Sequence, residues 1–410
     1  MRLRLVTAIL CLPASLLAQS GGWRANPDLV ARLTAERPGT NYDEAKVPAY
    51  TLPDPLGSAK GRIRSAKDWP ARRQEILELF RDNVYGRSPE RPKHLAFTVA
   101  EENPKAMEGA ATLRRVSIVS LQDERSHQFE VTLFLPNTPT PAPVFLFINN
   151  RPASLTDPTR AEKSGFWPAE QMIARGYGMA ALQYGALAPD DKDTFRTGVM
   201  RLFEGPGGTP GHTWGALAAW GWGASRAMDY LARDTRVDAS RVAIVGHSRG
   251  GKAALWAGAE DPRFALVVSN ESGEGGAALS RRGYGETVER INTAFPHWFT
   301  EAYRRFNGRE ADLPIDQHLL LSLIAPRALY VASADEDLWA DPRGEFLSLA
   351  EASPAYALFG DPPIARDAMP PLETPLVVGR RGYHVRKGGH DLTPYDWDRF
   401  ADLADRLWKR

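Results

Sequence analysis

Residues 242–259, VAIVGHSRGGKAALWAGA, join an apolar run to a helix-forming run through a turn that holds one serine. Gly246 to Gly250 fit the pattern G-x-S-x-G, with Ser248 at the centre. In that pattern a sharp turn between a strand and a helix lifts the serine hydroxyl above the edge of a sheet. Glycines stand on either side because a side chain there would collide with the neighbouring strand and helix. The stretch therefore predicts a nucleophilic serine on a strand, turn and helix unit.

Short apolar runs alternate with helix-length segments through the rest of the chain. The apolar runs, predicted as strands, cover residues 143–150, 178–185, 241–248, 265–272, 327–334 and 375–383. Helical segments follow several of them, the longest over about residues 214–233 and the last from about Tyr395 to Trp408. This rhythm is typical of a mostly parallel, doubly wound sheet with helices on both faces. Together with the serine turn it predicts an α/β-hydrolase fold, a three-layer sandwich around that sheet.

The N-terminal part of the chain adds three features to this plan. Residues 21 to about 70 are rich in proline, glycine and polar residues, which predicts an extended arm that wraps the core. Residues 71–86 follow as a first helix. Residues 114–121 and 127–136 alternate in polarity, which predicts an antiparallel hairpin. No internal repeat interrupts the chain, so residues 21–410 are predicted to form a single catalytic domain.

The first twenty residues have the order of a secretory signal peptide. Arg2 and Arg4 precede a short apolar run from Leu5 to Leu17, and small or polar residues follow. The run is too short to span a bilayer, so we expect cleavage near Ala18 to Ser20 and a secreted or periplasmic protein. The single cysteine, Cys11, lies inside this segment. The mature chain is therefore expected to have no disulfide bond.

Composition and charge exclude several classes of protein. The 410 residues are 43% hydrophobic and 25% charged, as in a globular protein with a large core. Cleavage of the signal peptide removes Arg2 and Arg4 from 51 basic residues and leaves the 50 acidic ones, a net charge of about −1. Such a balance predicts no attraction to nucleic acid or to an anionic membrane. We expect a monomer.

A serine hydroxyl needs a base to remove its proton, and in this fold the base is a histidine beyond the last strand. Two histidines, His384 and His390, lie in that part of the chain. His390 stands in the loop Lys387-Gly-Gly-His-Asp391, whereas His384 lies close to the strand end. Because glycines let a loop bring the ring back over Ser248, the sequence favours His390.

The carboxylate that orients the imidazole has two candidate positions. The cluster Asp335 to Asp337 follows the strand 327–334, where the order serine, acid, histidine normally places the acid. Glu271 follows the preceding strand and is the alternative.

The sequence predicts neither a metal nor a cofactor. The acidic cluster lacks the ligand spacing of a calcium loop, and no zinc pattern of histidines or cysteines exists elsewhere. The glycine-rich residues 205–211 lack the Lys-Ser/Thr ending of a phosphate-binding loop and are predicted to be a flexible loop. Acyl transfer by a serine requires no cofactor.

Five motifs in one order resemble the glucuronoyl esterases, carbohydrate esterases that cleave the ester between the glucuronic acid of xylan and lignin alcohols. The motifs are GHSRGGK from 246, NESGEGGAAL from 270, GET from 285, DLWADPRGEF from 337 and KGGHDLTPYDW from 387. The resemblance covers nearly all of the mature chain. It implies hydrolysis of esters of (4-O-methyl-)D-glucuronic acid, with glucuronoxylan or a lignin-carbohydrate ester as the substrate.

The resemblance also implies roles for eight residues. Ser248 would be the nucleophile, His390 the base, and Glu271 and Asp337 occupy the two acid positions known in the family. Because both acids could approach one edge of the imidazole, we predict that Glu271 matters more and that Asp337 partly substitutes for it. Arg249 would stabilise the oxyanion, and the residues that would hold the sugar are Lys252, Glu286 and Trp339. His247 departs from the cysteine of fungal members, but its side chain should point away from the substrate.

The residues support part of this assignment without the family. The backbone N–H of Arg249 is the oxyanion donor that every such serine turn supplies, and its guanidinium could add a second. Lys252 stands four residues after Ser248 on a helix, hence on the same side. Two alternatives remain at this stage: another carbohydrate esterase such as an acetyl xylan esterase, and a catalytically silent hydrolase fold that binds glycans.

Overall fold

The computed structural model describes residues 22–204 and 213–409. The predicted signal peptide and the predicted flexible loop at residues 205–211 lie outside the described residues.

A ten-stranded mixed sheet forms the centre of the molecule. The strands that precede the serine turn are β3 (His94–Ala106), β4 (Ala111–Gln122), β5 (Arg125–Pro136), β6 (Ala142–Asn149) and β7 (Gly178–Gln183). The others are β8 (Val237–His247), β9 (Leu266–Asn270), β10 (Ala328–Ala334), β11 (Leu376–Val378) and β12 (Arg381–Arg386). Their order across the sheet is β11-β12-β10-β9-β8-β6-β7-β5-β4-β3. The six strands from β12 to β7 are parallel, and antiparallel strands complete both edges. A separate small hairpin joins β1 (Gly57–Ser58) to β2 (Gly61–Arg62).

Helices cover both faces of this sheet. The helices before the serine turn are α1 (Pro27–Glu36), α2 (Trp69–Phe80), α3 (Ala169–Ala174), α4 (Met200–Phe203) and α5 (Ala216–Leu231). Those after it are α6 (Arg249–Glu260), α7 (Val288–Ala294), α8 (Gln317–Ser322), α9 (Pro342–Glu351), α10 (Ser353–Ala357) and α11 (Pro394–Trp408). Among the described residues, no helix combines the length and the apolarity needed to cross a membrane.

Alternate residues of the central strands belong to two different hydrophobic cores. In β6, Val144, Leu146 and Ile148 pack with α5 and α6, whereas Phe145 and Phe147 pack with α3 and α11. Successive side chains of a strand point to opposite faces, so both faces of β6 are buried. The three-layer α/β-hydrolase sandwich predicted from the sequence is therefore confirmed.

Three elements differ from the sequence-based expectation. The arm is not wholly extended, because it contains α1, which Asn26 caps by accepting a hydrogen bond from the backbone N–H of Asp28. The first helix, predicted at 71–86, is α2, and a π-helical turn continues it from Arg81 to Tyr85. The last predicted strand, 375–383, is two antiparallel strands, since Gly379 turns the chain with a φ of 59°.

Candidate active site

Ser248 lies in a strained turn between β8 and α6. Its φ of 57° and ψ of −126° are rare for a residue with a side chain. A side chain at Gly246 is impossible in this turn, because its Cβ would lie 1.9 Å from the carbonyl oxygen of Gly250. The local sequence therefore dictates the predicted serine turn, with Ser248 at the end of the strand and at the start of the helix.

Neighbouring parallel strands bring the other candidate residues to the same edge of the sheet. Glu271 follows β9, Asp337 follows β10, and His390 follows β12, and these strands lie side by side after β8. Since parallel strands end at one edge, residues far apart in sequence meet there. Glu271 itself has a φ of 46°, a second strained residue at this edge.

Two carboxylates face one nitrogen of His390. Its Nδ1 lies 2.6 Å from Oδ2 of Asp337 and 3.2 Å from Oε2 of Glu271. Burial alone would lower the pKa of His390, but hydrogen bonds and charge from Asp337 and Glu271 outweigh it and raise the pKa to about 10. With Nδ1 engaged, Nε2 is the nitrogen left for proton exchange with Ser248, which lines the same pocket.

Glu271 is shared between His390 and a buried arginine. Arg386 donates to Oε1 of Glu271 over 2.6 Å and to Oδ2 of Asp396 over 2.9 Å. Burial raises the pKa of Glu271, an effect that His390 and Arg386 oppose. His384, the other candidate base, is wholly buried, and its Nε2 lies 2.8 Å from Oδ1 of Asp396. The structure thus places His390 in the pocket and His384 in a charge network beneath it.

Glu271, Asp337 and His390 also form the one group of potential metal ligands among the described residues, with ligand atoms within 4.8 Å of one another. Two features of this group fit a histidine with its acids better than a metal site. The guanidinium of Arg386 already neutralises Glu271, and a cation beside it would be repelled. Asp337 is bound to the imidazole nitrogen that would have to coordinate the ion.

Arg249 is held by a residue that the sequence analysis did not identify. Its guanidinium pairs with Asp190 and lies 4.7 Å from the ring centre of Trp298. His297 Nε2 lies 2.8 Å from Asp190, and Trp298 Nε1 donates to it over 2.6 Å. Burial would raise the pKa of Asp190, but these donors and the charge of Arg249 lower it to about 2. Asp190 is therefore an ionised anchor for the guanidinium.

A pocket of about 870 Å³, hereafter the large pocket, opens beside Ser248 and contains the three predicted sugar ligands. Lys252 is buried, donates to the backbone oxygen of Ser272, and has its Nζ 4.0 Å from Oε2 of Glu286. Burial lowers the pKa of Lys252 and raises that of Glu286, while each partner's charge opposes that effect. Trp339 completes this group, and the guanidinium of Arg37 lies 4.5 Å from its ring centre.

A second pocket of about 430 Å³, hereafter the small pocket, also opens beside Ser248. The two pockets share Ser248, Arg249 and His390, whereas the other lining residues differ. The small pocket is further lined by Asn150, Arg151, Pro152, Gln183 and Tyr184. None of these five was predicted as a site residue. Asn150 could have been, because it directly follows β6, whose loop supplies an oxyanion donor in this fold.

Comparisons with known proteins identify the family. The family model described as "Glucuronyl esterase, fungi" matches residues 118–360. Carbohydrate esterase MZ0003, from an unknown prokaryotic organism, is 40% identical over 96% of this chain and 97% of its own length. The chain belongs to the glucuronoyl esterase family.

Relatives within this family extend the comparison to solved structures and to fungi. The glucuronoyl esterase from Solibacter usitatus is 44% identical and superimposes with a TM-score of 0.83, covering 89% of this chain and all of that one. The 4-O-methyl-glucuronoyl methylesterase from Podospora anserina is 30% identical over 71% of this chain and 56% of its own length.

The family expected from the five motifs is confirmed by these matches, and so is the α/β-hydrolase fold. The protein is an enzyme, a carboxylic ester hydrolase of the glucuronoyl esterase family.

Proposed function

We propose that the enzyme hydrolyses esters of (4-O-methyl-)D-glucuronic acid through an acyl-enzyme on Ser248. One observation carries the substrate assignment: a buried ammonium and a buried carboxylate, Lys252 and Glu286, face the large pocket beside Trp339. Buried charges are costly unless they have partners. Lys252 Nζ and Glu286 Oε2 are 4.0 Å apart, at the distance limit of an ion pair. Sugar hydroxyls both donate and accept, so they can bridge such a pair, and the indole of Trp339 offers a face for a pyranose ring.

In the proposed first step, Ser248 Oγ attacks the ester carbonyl while His390 Nε2 takes its proton. Asp337 and Glu271 stabilise the resulting imidazolium through Nδ1. The negative charge on the carbonyl oxygen is met by the backbone N–H and the guanidinium of Arg249. A single oxyanion donor is worth about 3 kcal/mol in other enzymes. Collapse of the intermediate breaks the bond to the alcohol, which leaves with the proton from His390.

In the proposed second step, water attacks the acyl-enzyme and His390 takes its proton. The bond between the acyl carbon and Ser248 Oγ breaks, the serine recovers a proton from His390, and the uronic acid leaves. No metal or cofactor takes part in this scheme.

The biological setting belongs to the same proposal. We infer secretion or periplasmic export from the signal-like residues 1–20, and action as a monomer. The natural substrate is proposed to be a lignin-carbohydrate ester of glucuronoxylan. Nucleic acid and membrane are not proposed as partners.

A panel of esters tests the function. Purified protein should hydrolyse methyl and benzyl esters of D-glucuronic acid, with and without the 4-O-methyl group. Ser248→Ala should lower kcat by at least about 10⁴-fold, because the covalent step is lost, while a circular dichroism melt should match that of the wild type.

Two other results would replace the proposed function. Comparable turnover of acetylated xylan and of glucuronate esters would indicate a less selective carbohydrate esterase, because acetyl groups have no uronate hydroxyls for Lys252 and Glu286 to hold. Saccharide binding without ester hydrolysis, and without labelling of Ser248 by a fluorophosphonate, would indicate a glycan-binding protein.

A further inference from the structure

Two pockets diverge from the candidate nucleophile, and only the large pocket contains the proposed sugar ligands. An ester bound at Ser248 has two substituents on its carbonyl carbon, the acyl group and the alkoxy oxygen, and they point in different directions. If the acyl sugar occupies the large pocket, the alcohol portion extends from Ser248 toward the small pocket. His390 lines both pockets, as required of the group that protonates the leaving alkoxy oxygen.

Asn150 lines the small pocket with a largely buried amide side chain. The residue is only 8% exposed, and within residues 22–204 and 213–409 its Oδ1 is fully buried and has no hydrogen-bond partner. A Cβ placed on Gly250 would lie 3.3 Å from this oxygen, so the amide packs directly against the first turn of α6, beside Ser248. Oδ1 is thus closed off from the pocket, whereas Nδ2 of the same amide is not closed off and has no hydrogen-bond partner among the described residues, so its N–H groups can donate to a ligand.

Arg151 supplies the second group. Its Nη2 lies 3.2 Å from Nε2 of His247, whose Nδ1 lies 2.6 Å from Oδ1 of Asn270. Burial, with the neighbouring positive charges, lowers the pKa of His247 well below its usual value, so the ring is neutral and its Nε2 accepts from Arg151. Among the described residues no carboxylate forms an ion pair with Arg151. Its remaining N–H groups are thus available to a ligand.

Gln183 and Tyr184 hold the wall in place rather than bind. Gln183 Nε2 donates to the backbone oxygen of Arg151 over 2.9 Å, and its Oε1 accepts from Asn149. The Tyr184 hydroxyl donates to Asp190 over 3.2 Å. Because the polar atoms of Gln183 and Tyr184 already have protein partners, the groups free to contact a ligand are the side-chain N–H groups of Asn150 and Arg151.

We propose that the small pocket is the subsite for the alcohol portion of the ester, and that Asn150 and Arg151 select alcohols carrying a further hydroxyl or ether oxygen near the reacting carbon. Arg151 and the amide N–H groups of Asn150 donate to such an oxygen. This inference rests on the proposed function for the direction of the acyl group, and it adds the chemical class of the alcohol.

Transfer of the acyl group to added alcohols tests the subsite, because it is the reverse of the step in which the alcohol leaves. An alcohol bound in the small pocket attacks the acyl-enzyme, passes its proton to His390, and becomes the new ester as the bond to Ser248 Oγ breaks. The ratio of ester to free acid then reports alcohol binding independently of the first step. Glycerol and 1-propanol have the same carbon chain and differ in two hydroxyls, so wild-type enzyme should favour glycerol by about fivefold, the value of one net hydrogen bond.

Asn150→Ala and Arg151→Met should each reduce this preference to about parity, with Arg233→Met as the matched control. The guanidinium of Arg151 lies 5.7 Å from the ring centre of Phe166, and that of Arg233 lies 5.1 Å from the ring centre of Phe97, but Arg233 lines neither pocket. Arg151 is only half-buried, so Arg151→Met is expected to fold and can still test the proposal if Asn150→Ala, a change at a buried residue, fails to fold. An unchanged ratio in folded variants would overturn the proposal, as would equal transfer to both alcohols by the wild type.

The assay is run with methyl glucuronate and with p-nitrophenyl acetate as acyl donors. Should only the acetyl donor react, the glucuronate function would be wrong, and the glycerol preference would still decide the alcohol subsite. A chain that turns over neither donor would overturn both proposals.

Discussion

Nδ1 of His390 has two acids within reach, and they are not equivalent. Asp337 makes the shorter contact, 2.6 Å against 3.2 Å, and Glu271 divides its charge between His390 and Arg386. The sequence alone favoured Glu271 as the main acid with Asp337 as a partial substitute. The geometry favours the reverse order.

Single and double variants of the two acids measure this order. Asp337→Asn should lower kcat by about tenfold and Glu271→Gln by less, whereas the double variant should approach the loss of about 10⁴ seen when an acid is removed from a one-acid triad. A larger loss for Glu271→Gln than for Asp337→Asn would restore the order inferred from the sequence.

The same variants should shift the pH profile. Each carboxylate raises the pKa of His390, and the imidazole must be unprotonated to accept the serine proton. Removing one acid therefore lowers this pKa and moves the acidic limb of the kcat/KM profile to lower pH. A limb that stays in place in both single variants would mean that His390 is not the titrating base.

Asp190 is expected to act through Arg249. Asp190→Asn keeps the size of the side chain but removes the charge that anchors the guanidinium, so kcat should fall by about tenfold with KM nearly unchanged, less than the 10² to 10³ for loss of a whole oxyanion donor. Combining it with Arg249→Met should cost little more than Arg249→Met alone, since interacting residues are not additive. Full additivity in this double-variant cycle would show that Asp190 acts independently of Arg249.

At the scale of elements, the N-terminal arm takes part in the site. Tyr42 from the arm packs with Tyr284 and Leu338 in a small cluster, and Trp339 packs against it. From the residue after α1, Arg37 covers the ring of Trp339 in the large pocket.

Arg37→Gln should raise KM by about two- to fivefold, because an exposed cation–π contact is worth about 0.5–1 kcal/mol. It should leave kcat unchanged, because Arg37 only orients the Trp339 ring that is proposed to contact the sugar. Arg32→Gln is the matched control, since Arg32 lies on α1 and pairs with Glu36 at the surface. Equal KM values for the two variants would show that the arm does not contribute to substrate binding.

Sequence patterns predicted the elements that are buried and missed those that are not. The apolar runs of β6, β8 and β10 were visible because helices cover both of their faces. β3 was missed because ten of its thirteen residues are exposed, so polar residues interrupt its apolar ones. The arm helix α1 was missed for the same reason, as it has no buried residue.

Site residues were predictable where a local motif surrounds them. Ser248 and His390 stand in glycine-flanked motifs, but Asp190 stands in none. Its partners Arg249 and His297 are 59 and 107 residues away, so only the folded sheet and its loops bring them together.

At the scale of the whole molecule, a buried charge network supports the loop that carries His390. Asp396, at the start of α11, accepts from Arg386 and contacts His384, both in β12. Burial opposes ionisation of Asp396, but His384 and Arg386 lower its pKa. Removing one member of such a network leaves buried charges without compensation.

Asp396→Asn should lower the free energy of unfolding by about 3 kcal/mol at pH 7, measured by urea denaturation. Because the folded-state pKa of Asp396 is depressed, its contribution is present above the ordinary carboxyl pKa of about 4 and is lost as pH falls through the depressed value. The gap between wild type and variant should therefore narrow in acid. As a control, Asp402→Asn on the same helix removes half-exposed ion pairs and should lower the free energy of unfolding by less than about 1 kcal/mol. Equal losses of stability in the two variants would contradict the structural role of Asp396.

The side-by-side order of β8, β9, β10 and β12 has a consequence for how such an enzyme can change over time. Adjacent parallel strands lie about 4.8 Å apart, so carboxylates at the ends of β9 and β10 reach the same imidazole. If both acids serve the imidazole as proposed, a chain carrying both should tolerate the loss of either one with activity reduced rather than abolished. On that basis the position of the acid could change from the end of one strand to the end of its neighbour through active intermediates, while the serine and the histidine keep their positions.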